Sequence, residues 1–298
     1  MDRVSRNSSG KDTTGGPTGA PAVAGTLYVV GTPIGNLQDF SPRAREVLGH
    51  VAAIAAEDTR RTRGLLSSIG LEKPLIAYHE HNEDRRAAPI LERLAGGDSI
   101  ALVSDAGMPL ISDPGWGLVE QALAAGLPVH VIPGPSAVTA ALAVSGLPTD
   151  RFVYEGFLPR RAGPRAARLK ELSSEPRTMV FLESVHRVPE TLHALVEAFG
   201  PSRRASLARE LTKLHEQVVT GPLEALARGV GERIPLLGEF VLVVAGAGDE
   251  ASPDEAEVVR VFEVLRRELP PGKAAALTAE LTGVSRNVVY RLTQVDRE

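Results

Sequence analysis

The amino-acid sequence predicts an α/β fold made of two doubly wound halves and a small helical domain near the C-terminus. From Thr26 onward, short apolar strands alternate with amphipathic helices, which is typical of parallel strands joined by crossover helices. The strands are almost continuous in apolar residues, as expected when helices cover both faces of a sheet. A turn-rich stretch at 146–151 interrupts the pattern before it resumes. The predicted segments are an arm at 1–24, an N-terminal α/β domain at 25–148, a C-terminal α/β domain at 149–247 and a helical domain at 255–298.

The composition indicates a soluble, cytoplasmic, globular protein. Hydrophobic residues make up 43% of the 298 residues and charged residues 23%, and no apolar run is long enough to span a bilayer. The arm is rich in Gly, Ser, Thr and Pro, so we predict it to be disordered, and it lacks the apolar stretch of a signal peptide. The absence of cysteine excludes disulfides, thiolate zinc sites and a cysteine nucleophile.

In the first half, five β-rich segments predict strands and each is followed by a predicted helix. Ser41 caps the first helix with Pro42 at its first position. Gly96 and Gly97 end the third helix, which we expect to begin at Pro89. The predicted strands are 27–31, 52–56, 74–78, 99–104 and 128–132. The predicted helices are 41–51, 59–70, 89–97, 117–126 and 135–146.

In the second half, the late strands follow one another closely, so we expect a mixed sheet. The predicted strands are 152–157, 178–183, 205–210, 217–221 and 239–246, with a basic helix after the first of them. Helices at 255–268 and 272–282 and a last helix from Ser285 resemble a helix-turn-helix, with Gly283 opening the turn. Either this unit packs on the body of the protein, or it contacts nucleic acid through Lys273, Arg286 and Arg291.

The charge of the chain argues both for and against nucleic-acid binding. The net charge of −4 argues mildly against a nucleic-acid-binding surface. Residues 160–177, however, contain six basic side chains against Glu171 and Glu175. Such a run is either a solvated helix face or an RNA contact. The basic residues are Arg160, Arg161, Arg165, Arg168, Lys170 and Arg177.

Loops typical of ligand-binding sites follow three of the predicted strands. The loop at 30–36 is neither a P-loop nor a complete dinucleotide fingerprint, although Gly31 and Gly35 permit a close approach of backbone to a ligand. The loop at 102–117 is long and rich in Asp, Pro and Gly, and it follows a strand at the sheet edge where open α/β sheets bind ligands. Ser136 stands at the start of the next helix, where backbone N–H groups face outward.

Titratable side chains gather at other strand ends. One interpretation is that these side chains cap helices and form ion pairs between domains. The alternative is that they line a polar substrate cleft between the two halves. His79 and His81 form a His-x-His pair, but no third ligand is identifiable, so we predict no metal. The first half supplies Glu57, Asp58, Arg60, His81, Asn82 and Glu83. The second half supplies Glu183, His186, Arg187, Arg209, Glu210 and Lys213.

The longer motifs resemble one known family. From Thr26 to the last helix, the chain is similar in motif order to the ribosomal RNA small subunit methyltransferase I family, within the tetrapyrrole methylase superfamily. Only the arm is left out. The motifs are GTLYVVGTPIGNLQD, EDTRRT, YHEHNE, VSDAGMPLISDPG, IPGPSA, GLPTDRFVYEGFLPR, ESVHR, ARELTK and GKAAALTAELTGVSRNVVY.

The resemblance implies S-adenosyl-L-methionine bound between two α/β domains of the tetrapyrrole methylase type, usually in a homodimer. It also implies 2′-O-methylation of cytidine 1402 of 16S ribosomal RNA in the small ribosomal subunit. Tetrapyrrole methylases tend to have GxGxGD where this chain has GTPIGN; Pro33 and Asn36 replace the second Gly and the Asp, which argues against tetrapyrrole binding. The implied cofactor residues are Ile34, Asp105, Gly107, Met108, Ser136, Ala137, Leu182, Ala208 and Glu239.

A ribose hydroxyl needs a base to remove its proton, and several residues are candidates. Arg60, Arg187 and Lys213 are candidate phosphate ligands. Two other functions stay open: methylation of a tetrapyrrole or another small molecule, and a non-catalytic role in ribosome assembly. The candidate bases are Glu57, Asp58, His81, Glu183 and Glu210.

Overall fold

The computed structural model describes residues 25–247, 255–282, 284 and 286–293. The predicted disordered arm therefore lies outside the described residues. The chain divides into two compact units, with the division between Ala143 and Val144, just before the boundary predicted at 148. Residues 209–217 cluster with the first unit although they lie within the second half of the sequence, which the sequence did not predict.

The first unit contains a five-stranded sheet in the order β3-β2-β4-β1-β5. Its four neighbouring strand pairs are all parallel, which confirms the predicted doubly wound arrangement. The four residues of β1, β2 and β4 are all buried, as near-continuous apolar strands require. The strands are β1 (Leu27–Val30), β2 (Ala53–Ala56), β3 (Leu75–Ala77), β4 (Ile100–Val103) and β5 (Val129–Ile132).

Helices cover both faces of this sheet. Leu48 and Leu66 of the first two helices pack on the face that carries Tyr28 and Val30. Helices three and four pack on the opposite face, around Leu27 and Ile100. A short 3-10 helix (Leu37–Asp39) follows β1. The helices are α1 (Pro42–His50), α2 (Thr59–Ser68), α3 (Glu83–Ala95), α4 (Trp116–Ala124) and α5 (Ala137–Ser145).

The prediction that α3 begins at Pro89 was wrong. The helix begins at Glu83, and Pro89 lies inside it. A proline in a helix interior removes one backbone hydrogen bond, so the local sequence favours a helix that starts at Pro89 over one that continues through it. Ala87, Ile90 and Leu94 are buried against the sheet, and this apolar face stabilises the helix on both sides of the proline.

The second unit contains a five-stranded sheet in the order β6-β7-β10-β8-β9. The predicted mixed sheet is confirmed, because β7 pairs with β6 in parallel and with β10 antiparallel. Its strands are β6 (Phe152–Phe157), β7 (Thr178–Ser184), β8 (Arg204–Arg209), β9 (Gln217–Pro222) and β10 (Glu239–Val244). Its helices in this region are α6 (Ala162–Leu172), α7 (Val188–Phe199) and α8 (Leu223–Gly229).

Three further helices follow in the second unit: α9 (Glu255–Arg266), α10 (Pro271–Thr282) and α11 (Arg286–Thr293). They pack around a small apolar core that includes Val258, Phe262 and Val289. The three predicted helices are confirmed, but the predicted roles of Gly283 and Ser285 fall outside the described residues. Among the described residues, no helix is long and apolar enough to cross a membrane.

Three of the six basic residues at 160–177 have carboxylate partners, so the run is not a continuous surface of unpaired cations. Arg165 is buried and forms an ion pair with Glu190 at 2.5 Å. Arg168 binds Glu155 and Glu171. Carboxylates therefore neutralise much of this run, because charges that pack against the protein need partners. Arg177 is the third neutralised cation, paired with Glu175.

Truncation of Phe181, which is fully buried in β7, should remove a large part of the second core. We expect Phe181→Ala to lower the free energy of unfolding by about 3–5 kcal/mol. The matched control is Phe157→Ala on the neighbouring β6, because Phe157 is 54% exposed and should cost about 1 kcal/mol or less. Urea unfolding measures both, and equal losses would contradict this assignment of the core.

Candidate active site

Three loops interlock at the carboxyl edge of the first sheet. They follow β1, β4 and β5, and residues 31–36, 104–115 and 133–136 form them. Thr32 and Gly107 exchange two backbone hydrogen bonds, of 2.9 and 3.1 Å, so the first loop pairs with the second as a short antiparallel bridge. The Thr32 side chain adds contacts of 3.4 Å to the carbonyl oxygens of Ser104 and Gly107.

The first and third loops touch backbone to backbone. A Cβ atom on Gly31 would lie 2.7 Å from the Cα and N of Gly134 and 2.7 Å from the sulfur of Met108. A Cβ on Gly134 would meet the Gly31 backbone at 2.8–2.9 Å. Only glycine fits at both positions, because side chains essentially never approach backbone this closely. The two glycines therefore set the spacing of the loops.

The second loop packs against the first and third loops close to this glycine contact. Gly107 has a φ of +86°, which favours glycine, and a Cβ there would lie 3.3 Å from Ile34 and 3.6 Å from the Pro135 carbonyl. Ile34 and Ser136 line one groove together. The structure thus brings together Ile34, Gly107, Met108 and Ser136, four of the residues assigned to a cofactor by resemblance.

A carboxylate cluster lies at the ends of β2 and β4. Asp105 accepts a hydrogen bond of 3.0 Å from the backbone N–H of Asp58 and pairs with Arg61 at 3.2 Å. The Asp105 backbone in turn donates to the Glu57 carboxylate. Burial raises the pKa of Glu57, and the nearby charge of Asp105 raises it further. Of the two neighbouring candidate bases, Glu57 and Asp58, Glu57 is therefore the better suited to accept a proton.

Asp58 has a different role from its neighbour. It caps α2, since its Oδ1 accepts from the backbone N–H of Arg60 at 2.8 Å, and its carboxylate pairs with the Arg60 side chain at 3.0 Å. These hydrogen bonds from Arg60 lower the pKa of Asp58 to about 2. The capping interpretation holds here, and Asp58 is a poor base.

Asp113 was not singled out from the sequence, although it lies in the predicted ligand loop. Burial raises its pKa to about 6, and the nearby carboxylates of Glu57 and Asp105 act in the same direction, against a hydrogen bond to Ser104. The loop therefore carries an acid that is partly protonated near neutral pH.

Residues 209–217, which we name the inserted segment, bring Glu210 and Lys213 to the first unit. The Lys213 ammonium binds Glu210 at 2.8 Å. The Lys213 side chain lies over Gly35, where a Cβ would come within 2.4 Å of the lysine Cγ. Gly35 has a φ of +158° and provides the space that this lysine occupies.

Backbone strain is confined to the same two regions. Among the residues that the structure describes, all non-glycine residues with positive φ lie in the second loop or the inserted segment. Such conformations cost about 1–3 kcal/mol each and are concentrated at functional sites. They are Leu110, Ser112, Glu210 and Thr212.

An open groove of about 630 Å³ runs along the first and third loops. We name it the Thr212 groove, because the inserted segment contributes that residue to its wall. No local sequence pattern predicts this groove, because its residues come from three distant stretches, 34–41, 133–140 and 212. The lining residues are Ile34, Asp39, Ser41, Pro133, Gly134, Pro135, Ser136, Thr139, Ala140 and Thr212.

Several predicted residues lie in the second unit or play structural roles. Leu182, Ala208 and Glu239 belong to β7, β8 and β10 of the second unit. Glu183 is 3% exposed; its oxygens accept from the Ser184 backbone at 2.8 Å and the Thr191 hydroxyl at 2.6 Å. These contacts tie β7 to the first turn of α7 and favour a structural role for Glu183.

The His79 and His81 rings lie 6.0 Å apart, and His79 contacts Asn82 at 3.0 Å. Asn82 precedes α3, and its side-chain oxygen accepts a hydrogen bond from the backbone N–H of His79. This cluster therefore stabilises the start of the helix. His81 is exposed. Within the described part of the chain, no group of three or more His, Asp or Glu side chains is placed to hold a metal ion.

Comparison with known families agrees with this architecture. Residues 26–227 match the family described as Tetrapyrrole (Corrin/Porphyrin) Methylases, and residues 252–294 match the RsmI C-terminal HTH domain. The uroporphyrin-III C-methyltransferase from Thermus thermophilus, complexed with S-adenyl homocysteine, has a TM-score of 0.52 to this chain. It is 19% identical and covers 74% of this chain and 98% of its own, so this similarity establishes the fold alone.

The chain therefore belongs to the tetrapyrrole methylase family. It is 52% identical to ribosomal RNA small subunit methyltransferase I from Xylella fastidiosa (strain Temecula1), over 89% of this chain and 98% of the relative. The protein of that name from Pseudomonas aeruginosa is 50% identical, over 90% and 96%. Within the class, the chain belongs to the ribosomal RNA small subunit methyltransferase I family.

The glycine contact between the loops predicts that Gly134→Ala destabilises the protein by about 2–3 kcal/mol, because the new methyl group meets backbone. Gly64→Ala is the matched control: Gly64 lies in α2 with nothing within 4 Å of a Cβ, so alanine should stabilise by about 0.5–1 kcal/mol. Thermal and urea unfolding measure both. Equal effects of the two variants would contradict the contact.

The raised pKa of Asp113 predicts that the ionised side chain destabilises the folded state, to an extent that depends on pH. The folded state binds this proton more tightly than the unfolded state, whose carboxyl keeps its ordinary pKa of 3.8. Stability is therefore lost as the pH rises from about 4 to about 6. Asp113→Asn should be more stable than the parent by roughly 1–3 kcal/mol at pH 7, allowing for partial exposure, and equally stable below pH 4. A difference that is constant with pH would contradict this assignment.

Proposed function

We propose that this protein transfers a methyl group from S-adenosyl-L-methionine to the ribose 2′-hydroxyl of a cytidine in 16S ribosomal RNA. The observation that carries the proposal is the convergence of three glycine-spaced loops on the residues assigned to the cofactor. Relatives that are about half identical over nine tenths of the chain bear the name of an RNA methyltransferase, which supports the RNA substrate. We further propose that it acts on the small ribosomal subunit, in the cytoplasm, as a homodimer.

The residues present fit the proposed cofactor. Gly31 and Gly134 bring the loops after β1 and β5 into backbone contact, and Gly107 lies beside Ile34 and Pro135, so the residues assigned to the cofactor in these loops lie together. In the first unit, Ile34, Asp105, Gly107, Met108, Ser136 and Ala137 would hold the cofactor, and Asp105 supplies a negative charge. When bound, the cofactor supplies an electrophilic methyl group on a cationic sulfur. Leu182, Ala208 and Glu239 of the second unit stay predicted contacts.

Glu57 is the proposed general base. Its partial burial and raised pKa suit proton transfer better than the carboxylate of Asp58, which Arg60 stabilises in its charged form. Glu210 is committed to Lys213, and Glu183 is buried among structural partners. Holding the ribose oxygen in line with the methyl group supplies the remaining acceleration.

Cations in both units have proposed roles toward RNA. Lys213 lies at the loop edge over Gly35, and Arg60 is exposed beside Asp58. Lys273, Arg286 and Arg291 are exposed on the C-terminal helices. We propose that these residues bind phosphate oxygens, which is how proteins position RNA without reading its sequence.

Mass-spectrometric mapping of ribose methylation in 16S ribosomal RNA tests the function. A deletion strain should lose one 2′-O-methyl group on a cytidine, and the purified protein should restore it on deletion-strain small subunits in the presence of S-adenosylmethionine. An unchanged pattern would refute the RNA substrate and favour a small-molecule methylase. Failure to bind S-adenosylmethionine in calorimetry would favour a non-catalytic assembly factor.

Neighbouring carboxylates give a matched test of the base. Glu57→Gln should lower the single-turnover rate at least about 100-fold, because the proton of the hydroxyl has no acceptor. Asp58→Asn should change the rate by less than about threefold, since asparagine also caps helices well. A full rate in Glu57→Gln, or an equal loss in Asp58→Asn, would remove Glu57 from this role.

A further inference from the structure

The Thr212 groove adjoins the loops proposed for the cofactor. Gly134 lines the groove and also touches Gly31, which lies beside Met108. Ile34 and Pro135 line it as well, and both lie beside Gly107. A molecule in the groove would therefore share a wall with the loops from which the methyl group is delivered.

The lining has the chemistry of a nucleoside site. Four hydroxyl-bearing side chains, Ser41, Ser136, Thr139 and Thr212, alternate with apolar Ile34 and Ala140 and with prolines. Asp39 is the one charged side chain among the lining residues. A site without cations does not select phosphate, whereas apolar walls with a few hydrogen-bonding groups suit a base and its sugar.

The Thr212 hydroxyl gives independent evidence for an occupant. Its oxygen is buried and has no hydrogen-bond partner among the described residues. The backbone is held in a left-handed conformation with a φ of 66°, and its N–H donates to Glu216 Oε2 at 2.6 Å. Because Thr212 lines the groove, rotation of its side chain would turn the hydroxyl from this buried position towards an occupant, which would supply the missing hydrogen bond.

The groove is open rather than enclosed, which favours a nucleotide within a polymer. Asp39, Pro133 and Thr139 are all exposed along its length. A chain that continues on either side of one nucleotide needs such an opening. A cation for the adjoining phosphate lies next to Thr212, because Lys213, whose ammonium also pairs with Glu210, follows it in the inserted segment and lies over Gly35.

We propose that the Thr212 groove binds the nucleoside of the substrate RNA that is presented for methylation, with the Thr212 hydroxyl as one of its hydrogen-bonding groups. This inference rests on the proposed function and adds the place where the target nucleotide lies. The same nucleoside chemistry exists in the adenosine part of the cofactor. The experiments below therefore measure RNA and cofactor separately.

Thr212→Val removes the hydroxyl and keeps the branched shape, while Thr212→Ser keeps the hydroxyl. We expect Thr212→Val to lower kcat/KM for small subunits about three- to tenfold and Thr212→Ser to stay near the parent. The dissociation constant for S-adenosylmethionine should not change in either variant. The melting temperature of Thr212→Val should not fall, because the hydroxyl has no partner within the chain.

A second experiment blocks the groove with a chemical label and measures RNA binding independently of methylation. The chain has no cysteine, so Thr139→Cys can be labelled with a bulky maleimide at one position, and Ala95→Cys on α3 is the exposed control at the amino edge of the same sheet. Anisotropy with a fluorescein-labelled RNA stem-loop of the decoding region measures RNA affinity. Labelling at position 139 should weaken RNA binding at least tenfold, with cofactor binding unchanged and the control unaffected.

Weaker cofactor binding after labelling at position 139, or unchanged binding of both ligands, would overturn the proposal. RNA binding that labelling at position 139 abolishes would support the groove even if the protein methylated no RNA. In that case only the proposed function would fail, so the two failures are distinguishable.

Discussion

The contact between Gly31 and Gly134 is the constraint on which the candidate site depends. Because neither residue has a side chain, the loops after β1 and β5 meet backbone to backbone, and the loop after β4 can bridge to Thr32 beside them. Parallel strands place all three loops at one sheet edge, but the strands alone do not bring them into contact. The glycine pair supplies that contact and thereby fixes where Ile34, Met108 and Ser136 stand.

The inserted segment adds a cation, Lys213, to three loops that contain no lysine or arginine of their own. It also adds a further hydroxyl, Thr212, and it does so from the second half of the sequence. Left-handed Glu210 and Thr212 hold these side chains in place at a conformational cost. Such strained positions are concentrated at functional sites.

Much of the fold was predictable because it depends on local pattern. Apolar runs predicted every strand, and the length and stiffness of the loop at 102–117 predicted a ligand site. The start of α3 was wrongly predicted at Pro89, because the packing of α3 on the sheet outweighs the unfavourable effect of a proline inside the helix. The pairing of Arg168 with Glu155, and the placement of Thr212 and Ile34 along one groove, join distant parts of the sequence, so no local pattern predicts them. The identity of the cofactor and of the RNA substrate came from motif resemblance.

The most direct test of the interlocked loops as the methyl-donor site is a crystal structure of the full chain with S-adenosyl homocysteine. The loops should contact the ligand within about 4 Å through residues at 31–36, 105–108 and 133–137, with Gly31 and Gly134 still in contact. A ligand bound elsewhere on the protein, or loops that separate on binding, would contradict the account.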